Sequence, residues 1–175
     1  MDKPSGEFLQ LCFVVDDLER ELEHWTRTLR VGPFFHLPHF PLLEAQYRGR
    51  RIAPDLDIAL AFAGTTCIEL LRQNDDTPSP FRAHVQARGF GFQHTAVTTG
   101  AFDDTLRERE KSGMSVVGSA TVGLGGRVAY LETTSSLGTL LELIEITPPV
   151  EQFFGMIRAA AESWDGTDPV RRLAF

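Results

Sequence analysis

The 175-residue chain, 42% hydrophobic and 23% charged, has the composition of an ordinary globular protein and fits one domain or two small modules sharing a core. Its net charge of −7 argues against a nucleic-acid partner, because phosphate binding needs a basic face. No run approaches the roughly 18 apolar residues of a membrane helix, and residues 1–7 carry no hydrophobic signal region. A cytoplasmic protein with no membrane partner is expected, with Cys12 and Cys67 as small buried hydrophobes in a reducing compartment.

In chain order, residues 8–15 predict a strand with Leu9, Leu11, Phe13 and Val15 on one face and Phe8, Gln10, Cys12 and Val14 on the other. Asp16 or Asp17 then caps a helix whose apolar stripe is Leu18, Leu22, Trp25 and Leu29, ended by Gly32-Pro33. Phe34 to Arg51 reads as a strand, a loop and the start of a second strand. Leu56, Ile58, Leu60 and Phe62 alternate with Asp57, Ala59 and Ala61 in a further strand, and Gly64-Thr65 turns the chain into another around Glu69. Asn74 to Pro80 is a linker, closed by a short helix over about 81–88. A strand around His94 follows, on which Phe92, His94 and Ala96 share a face. A helix is predicted over 101–112, with Phe102 and Leu106 inward, and strands near 114–121, 127–133 and 139–146. Gly123-Leu124-Gly125-Gly126 reads as a flexible flap. Pro148-Pro149 stops the last strand, and a final helix over about 150–163 carries Phe153, Phe154 and Ile157, with Trp164 just beyond. That helix is a packing or dimer element, or a wall of the pocket.

Two of these strands each hold one carboxylate in an apolar run, Cys67-Ile68-Glu69-Leu70-Leu71 and Leu140-Leu141-Glu142-Leu143-Ile144. An unpaired buried carboxylate costs several kcal/mol or more, so it is normally neutralised, paired or metal-bound. Matching contexts point to a duplicated module that aims two acids into one cavity. Aligning Gln10 with His94 supports this, since Val14 then falls opposite Thr98 and Leu18 opposite Phe102. The predicted fold is α+β, with two tandem copies of a βαβββ module. The first module spans 8–73, the linker 74–89, the second module 90–147, and the C-terminal helix and tail 148–175.

Gln10 through Glu19 resemble the opening strand and helix of the vicinal oxygen chelate superfamily, which includes glyoxalase I, methylmalonyl-CoA epimerase, extradiol dioxygenases and bleomycin-resistance proteins. Ile68-Glu69-Leu70-Leu71 followed by Asp75 to Phe81, and Gly91-Phe92-Gln93-His94, resemble its epimerase-like branch; Gly138 to Leu143 resemble its closing strand. The resemblance covers residues 8–147. It implies a pair of βαβββ modules forming a curved mixed sheet around a shared cleft, with metal ligands on the first and fourth strands of each, which here are Gln10, Glu69, His94 and Glu142. It also implies a homodimer. Two carboxylates offset a divalent charge, and an imidazole and an amide oxygen complete four contacts, a set suited to Mg²⁺, Mn²⁺, Co²⁺, Ni²⁺ or Zn²⁺. Gln10 departs from the histidine common at the first position in the epimerase and dioxygenase branches. That departure breaks the two-histidine, one-carboxylate triad of iron(II)–oxygen chemistry and ranks a dioxygenase low.

Around this set, Tyr47-Arg48-Gly49-Arg50-Arg51 is a basic cluster on an acidic protein. It reads as a solvated loop or, functionally, as a clamp for a substrate carboxylate or phosphate through Arg48 and Arg50. Phe35 and Tyr47 read as aromatic walls of a small-molecule cleft. Glu142, or Glu44 near the basic loop, is the candidate catalytic carboxylate. His36 and His39, with no acid close in sequence, read as cleft wall rather than metal ligands. The expected activity is a metal-dependent isomerase or lyase moving a proton alpha to the carbonyl of a small oxygen-rich acid or thioester. The alternative is a drug-sequestering type of binding protein using the same cleft without chemistry.

Overall fold

The computed structural model describes residues 8–133 and 138–173. The first module contains β1 (Phe8–Val14), α1 (Leu18–Glu23), β2 (Phe34–Leu37), a hairpin of β3 (Leu42–Tyr47) and β4 (Arg50–Arg51), β5 (Leu56–Ala63) and β6 (Thr66–Gln73). After α2 (Pro80–Arg88) come β7 (Gly91–Thr99), α3 (Phe102–Lys111), β8 (Ser115–Val122), β9 (Arg127–Glu132) and β10 (Leu140–Glu145). The chain closes with α4 (Pro148–Glu162) and β11 (Val170–Arg172). Asp17, not Asp16, caps α1, its carboxylate accepting from the Arg20 N–H at 3.0 Å, and a wider π-type turn over His24–Thr28 continues the helix.

All the strands join one mixed sheet in the order β11-β2-β5-β6-β1-β7-β10-β9-β8-β3-β4. Its middle is built twice. β2-β5-β6-β1 and β8-β9-β10-β7 have the same neighbours and directions, with β1 parallel to β6, β7 parallel to β10, and β1 antiparallel to β7 at the junction. The registers match too: Glu69 pairs with Cys12, two residues after Gln10, and Glu142 pairs with Ala96, two residues after His94. The β3–β4 hairpin lies within the first module's sequence but extends the second module's edge by pairing with β8. That exchange, like β11 pairing with β2, depends on long-range contacts that the local pattern does not encode.

Period-2 alternation sorts the strand residues into layers. Ile58, Leu60, Phe62, Cys67, Leu71, Val128, Tyr130 and Ile144 face the inner cleft. Ala59, Ala61, Ile68 and Leu70 pack outward beneath Leu18 and Leu22 of α1, while Ala129, Leu131, Leu141 and Leu143 do so beneath Phe102 of α3. Two residues break the expected alternation. Leu9 belongs to the inner layer, because β1 carries one extra residue between the pairs Phe8↔Val97 and Gln10↔Ala96. Phe92 turns to the outer face, where its ring meets Phe13 at 5.8 Å, because β7 carries an extra residue at Gln93. Leu9 precedes Gln10 as Gln93 precedes His94, so the two bulges are themselves a duplicated feature.

The C-terminal segment straps the inner face. Ile157 is fully buried, α4 rests on β5, and the Trp164 ring covers Gly32. The Gly123–Gly126 stretch forms a turn closed by the Val122 N–H donating to Gly126 O at 2.9 Å. A Cβ on Gly126 would stand 2.8 Å from Val150 Cγ2 and 3.0 Å from the Glu145 carbonyl oxygen, a backbone atom that cannot swing aside. Gly126→Ala is expected to cost about 1–3 kcal/mol in urea unfolding; an unchanged midpoint would show that α4 is not pressed against this turn.

Candidate metal centre

Gln10, Glu69, His94 and Glu142 converge on the inner face where the two modules meet. All four are buried, between 1% and 8% exposed, yet they belong to β1, β6, β7 and β10, the four central strands. Gln10 Nε2 donates to Glu69 Oε2 at 2.8 Å, and His94 Nε2 lies 3.1 Å from Glu142 Oε2 and 3.5 Å from Glu69 Oε2. These separations are those of neighbouring donors around one ion with bonds of about 2.0–2.2 Å. A half-turn of the Gln10 amide would present its oxygen in place of its nitrogen. The donor set therefore fits a divalent cation.

The electrostatics point the same way. Burial pushes the Glu69 carboxyl up to about 7; the nearby His94 opposes that shift and Glu142 adds to it. Burial alone would lower the His94 pKa, but Glu142, hydrogen-bonded to it, and Glu69 hold it above its ordinary value. Two acids and one imidazole are thus packed where a positive charge is missing, and protons fill that role in the metal-free protein.

Three further residues complete the site, none of them singled out from the sequence for this role. Gln93, fully buried, places Oε1 against His94 Nδ1, which directs Nε2 at the two carboxylates. It sits on the inner face only because of the bulge, so strict alternation assigns it to the wrong side. Tyr130 stacks edge-on to His94 at 5.6 Å and to Phe81 at 5.4 Å. Cys12 places its sulfur, a Glu69 oxygen and a His94 nitrogen all within 4.8 Å of one another. Its signal was present, because it shares the Gln10 face; burial raises its pKa first, then the charge of Glu69.

The cavity beside these groups measures about 70 Å³. Gln10, Glu69, Glu142 and Tyr130 supply its polar side, and Leu60, Phe81, Leu124, Ile144, Val150, Phe153 and Phe154 much of its apolar wall. Among the described residues lining it there is no lysine, arginine or histidine. The C-terminal helix contributes Val150, Phe153 and Phe154, so it is a wall of the pocket as well as a packing element.

The other sequence-derived candidates lie elsewhere. Tyr47 and Arg48 line a separate pocket beside α2, the guanidinium standing 5.6 Å over the Tyr47 ring. Arg50 is exposed on β4. Phe35 is buried in the inner layer beneath the Arg171 guanidinium, outside the residues that line the 70 Å³ cavity. Glu44 is exposed on β3, in left-handed backbone conformation (φ 52°), and also does not line it. His36 and His39 meet acids distant in sequence: His39 Nδ1 lies 2.7 Å from Asp55 Oδ1, and His36 Nε2 is 3.8 Å from Asp57 Oδ2.

A duplicated βαβββ sheet with side chains from four central strands closing on one ion-sized site defines a class of two-module cleft proteins. Residues 9–130 match the family model of the Glyoxalase/Bleomycin resistance protein/Dioxygenase superfamily, and the chain belongs to that superfamily. No curated protein matches the chain significantly in sequence. Among solved structures it is similar to a hypothetical protein of Bacillus halodurans, with 22% identity over 82% of this chain and 96% of that one and a TM-score of 0.60. Methylmalonyl-CoA epimerase from Mycobacterium tuberculosis is also similar, with 19% identity, 87% and 97% coverage and a TM-score of 0.59. A Streptomyces coelicolor methylmalonyl-CoA epimerase variant, in complex with 2-nitronate-propionyl-CoA, shares 16% identity at a TM-score of 0.55, covering 82% of this chain and 96% of that one. These likenesses establish the fold. No helix among the described residues is long and apolar enough to cross a membrane.

Proposed function

We propose that the protein is a metal-dependent isomerase or lyase that moves a proton alpha to the carbonyl of a small oxygen-rich acid or thioester. The observation that carries this reading is the convergence of Gln10, Glu69, His94 and Glu142, three of which, Gln10, Glu69 and Glu142, line a largely apolar cavity. Those four residues would hold the ion, chosen from Mg²⁺, Mn²⁺, Co²⁺, Ni²⁺ and Zn²⁺. When bound, it would polarise the substrate carbonyl and favour the enolate.

The remaining work falls to the chain itself. Gln93 holds the His94 tautomer. Glu142, which lines the cavity, accepts the α-proton and returns it. Phe81, Leu124, Phe153 and Phe154 exclude water from the enolate and take up the apolar part of the substrate. A homodimer accompanies this reading by analogy with the superfamily.

Metal analysis of the purified chain should find about one divalent ion per chain, lost when His94 and Glu142 are both changed to alanine. Solvent deuterium exchange at the α-carbon of small keto, hydroxy and thioester acids should fall by about 10²–10⁴-fold in Glu142→Gln. A chain that takes up none of the five metals sinks the proposal. The cation-free, largely apolar lining favours one second reading, a binding protein for apolar ligands; under it, Glu142→Gln leaves ligand affinity unchanged.

A further inference from the structure

A second pocket, of about 310 Å³, opens between α2 and the strand ends of the second module. Arg88 and His84 of α2, Tyr47 of β3, Arg48 in the turn just after it, and Gln93 of β7 all line it. This is where the structure puts the basic cluster that stands out in the sequence: β3 crosses to the second module's edge and carries Tyr47 and Arg48 to face α2.

Gln93 is the informative member. Its side chain is fully buried, its Oε1 is committed to His94 Nδ1, and its Nε2 has no hydrogen-bond partner. Buried amide N–H groups are almost always paired, so an unpaired one on a residue that lines a pocket marks where an acceptor belongs. The cations nearby give that acceptor its sign. The Arg88 guanidinium lies against Gly138, where a Cβ would collide with Arg88 Nη2 and displace it. Arg48 is tied to Glu132 only loosely, at 3.4 Å across an exposed pair, and guanidinium groups match carboxylate and phosphate geometry.

We propose that this pocket is a second binding site, for a small anion bearing a carboxylate or phosphate group. Arg88 and Arg48 meet its charge, and the Gln93 amide donates to one of its oxygens. The same amide orients His94, so the anion fixes Gln93 in the rotamer that keeps Nε2 of the imidazole turned to Glu69 and Glu142. The site is complete without a metal and does not rest on the proposed reaction.

The test uses the full chain treated with a chelator, titrated by calorimetry with inorganic phosphate and separately with malonate at constant ionic strength. Side-chain amide resonances are followed in parallel, that of Gln93 being assigned by its loss in Gln93→Leu. One saturable site per chain is expected, together with a shift of the Gln93 amide. Arg88→Ala, at an exposed helix end, should weaken binding at least about tenfold without changing thermal stability. Gln93→Leu should weaken it by a comparable factor. Saturation by phosphate alone identifies a phosphate site and by malonate alone a carboxylate site; either supports the proposal. No saturable binding up to about 10 mM, well beyond a millimolar dissociation constant, overturns it, as does binding that neither substitution alters.

Discussion

Replacing Glu69 with glutamine is expected to stabilise the metal-free protein above neutral pH and, in the same molecule, to weaken divalent-metal binding about a hundredfold or more. The first effect follows from burial, which raises the Glu69 carboxyl from 4.5 to about 7 in the folded chain. A group whose pKa rises on folding contributes stability that is fully present below its unfolded value and lost as pH climbs through its folded one. For Glu69 the loss therefore runs from about pH 4.5 to just above 7. The interval of about 2.5 pH units corresponds to a cost on the order of 3 kcal/mol. His94, also raised, acts in the same direction, its stabilising contribution disappearing on the alkaline side. Carboxyls held low, chiefly Glu145 through its hydrogen bonds to Arg127, act oppositely and erode stability on the acid side. Urea unfolding of the chelator-treated wild type should thus weaken between pH 6 and 8.5, and the Glu69→Gln variant should weaken less.

The second effect reverses the sign. An ion at this site would supply the charge that the protons leave behind, so metal binding should release protons and stabilise the wild type most at high pH. In Glu69→Gln one of the two balancing carboxylates is gone, and the metal-induced rise in unfolding midpoint should nearly vanish. A variant less stable than wild type at pH 8.5 without metal would mean that Glu69 is held by partners rather than strained by burial.

What made this site legible in the sequence was the mismatch between residue and surroundings. Glu69 and Glu142 stood in apolar runs whose alternation already placed them on the inner face, and the structure finds both there with Gln10 and His94. The errors came from the same counting. Each bulge inserts one residue, which puts the positions up to it out of step with those after it, so Leu9 and Phe92 changed faces and Gln93 was passed over. Where Tyr47 and Arg48 end up was hidden for a different reason: their strand pairs with β8, far along the chain, and no local periodicity announces a partner at that distance.

The role of α4 was open for the same reason, and its docking supplies the second large effect. Ile157 is fully buried where the helix rests on β5, and Arg158 beside it lays its guanidinium 4.7 Å over the Phe62 ring. An aspartate at position 157 would bury an unpaired carboxylate among apolar groups, at a cost of several kcal/mol. The helix has a cheaper escape, which is to undock, exposing Val150, Phe153 and Phe154 and unroofing the cavity. Ile157→Asp is therefore expected to lower the unfolding midpoint by about 10 °C, and Ile157→Ala by less. Limited proteolysis should cut the variant first within 148–162, and an apolar dye should bind where the wild type binds none. Because α4 supplies none of Gln10, Glu69, His94 or Glu142, metal stoichiometry should match the wild type while reaction, or retention of an apolar ligand, is lost. Loss of metal with the helix still protected would place the weak point in the four central strands and remove α4 from its role as the cavity's wall.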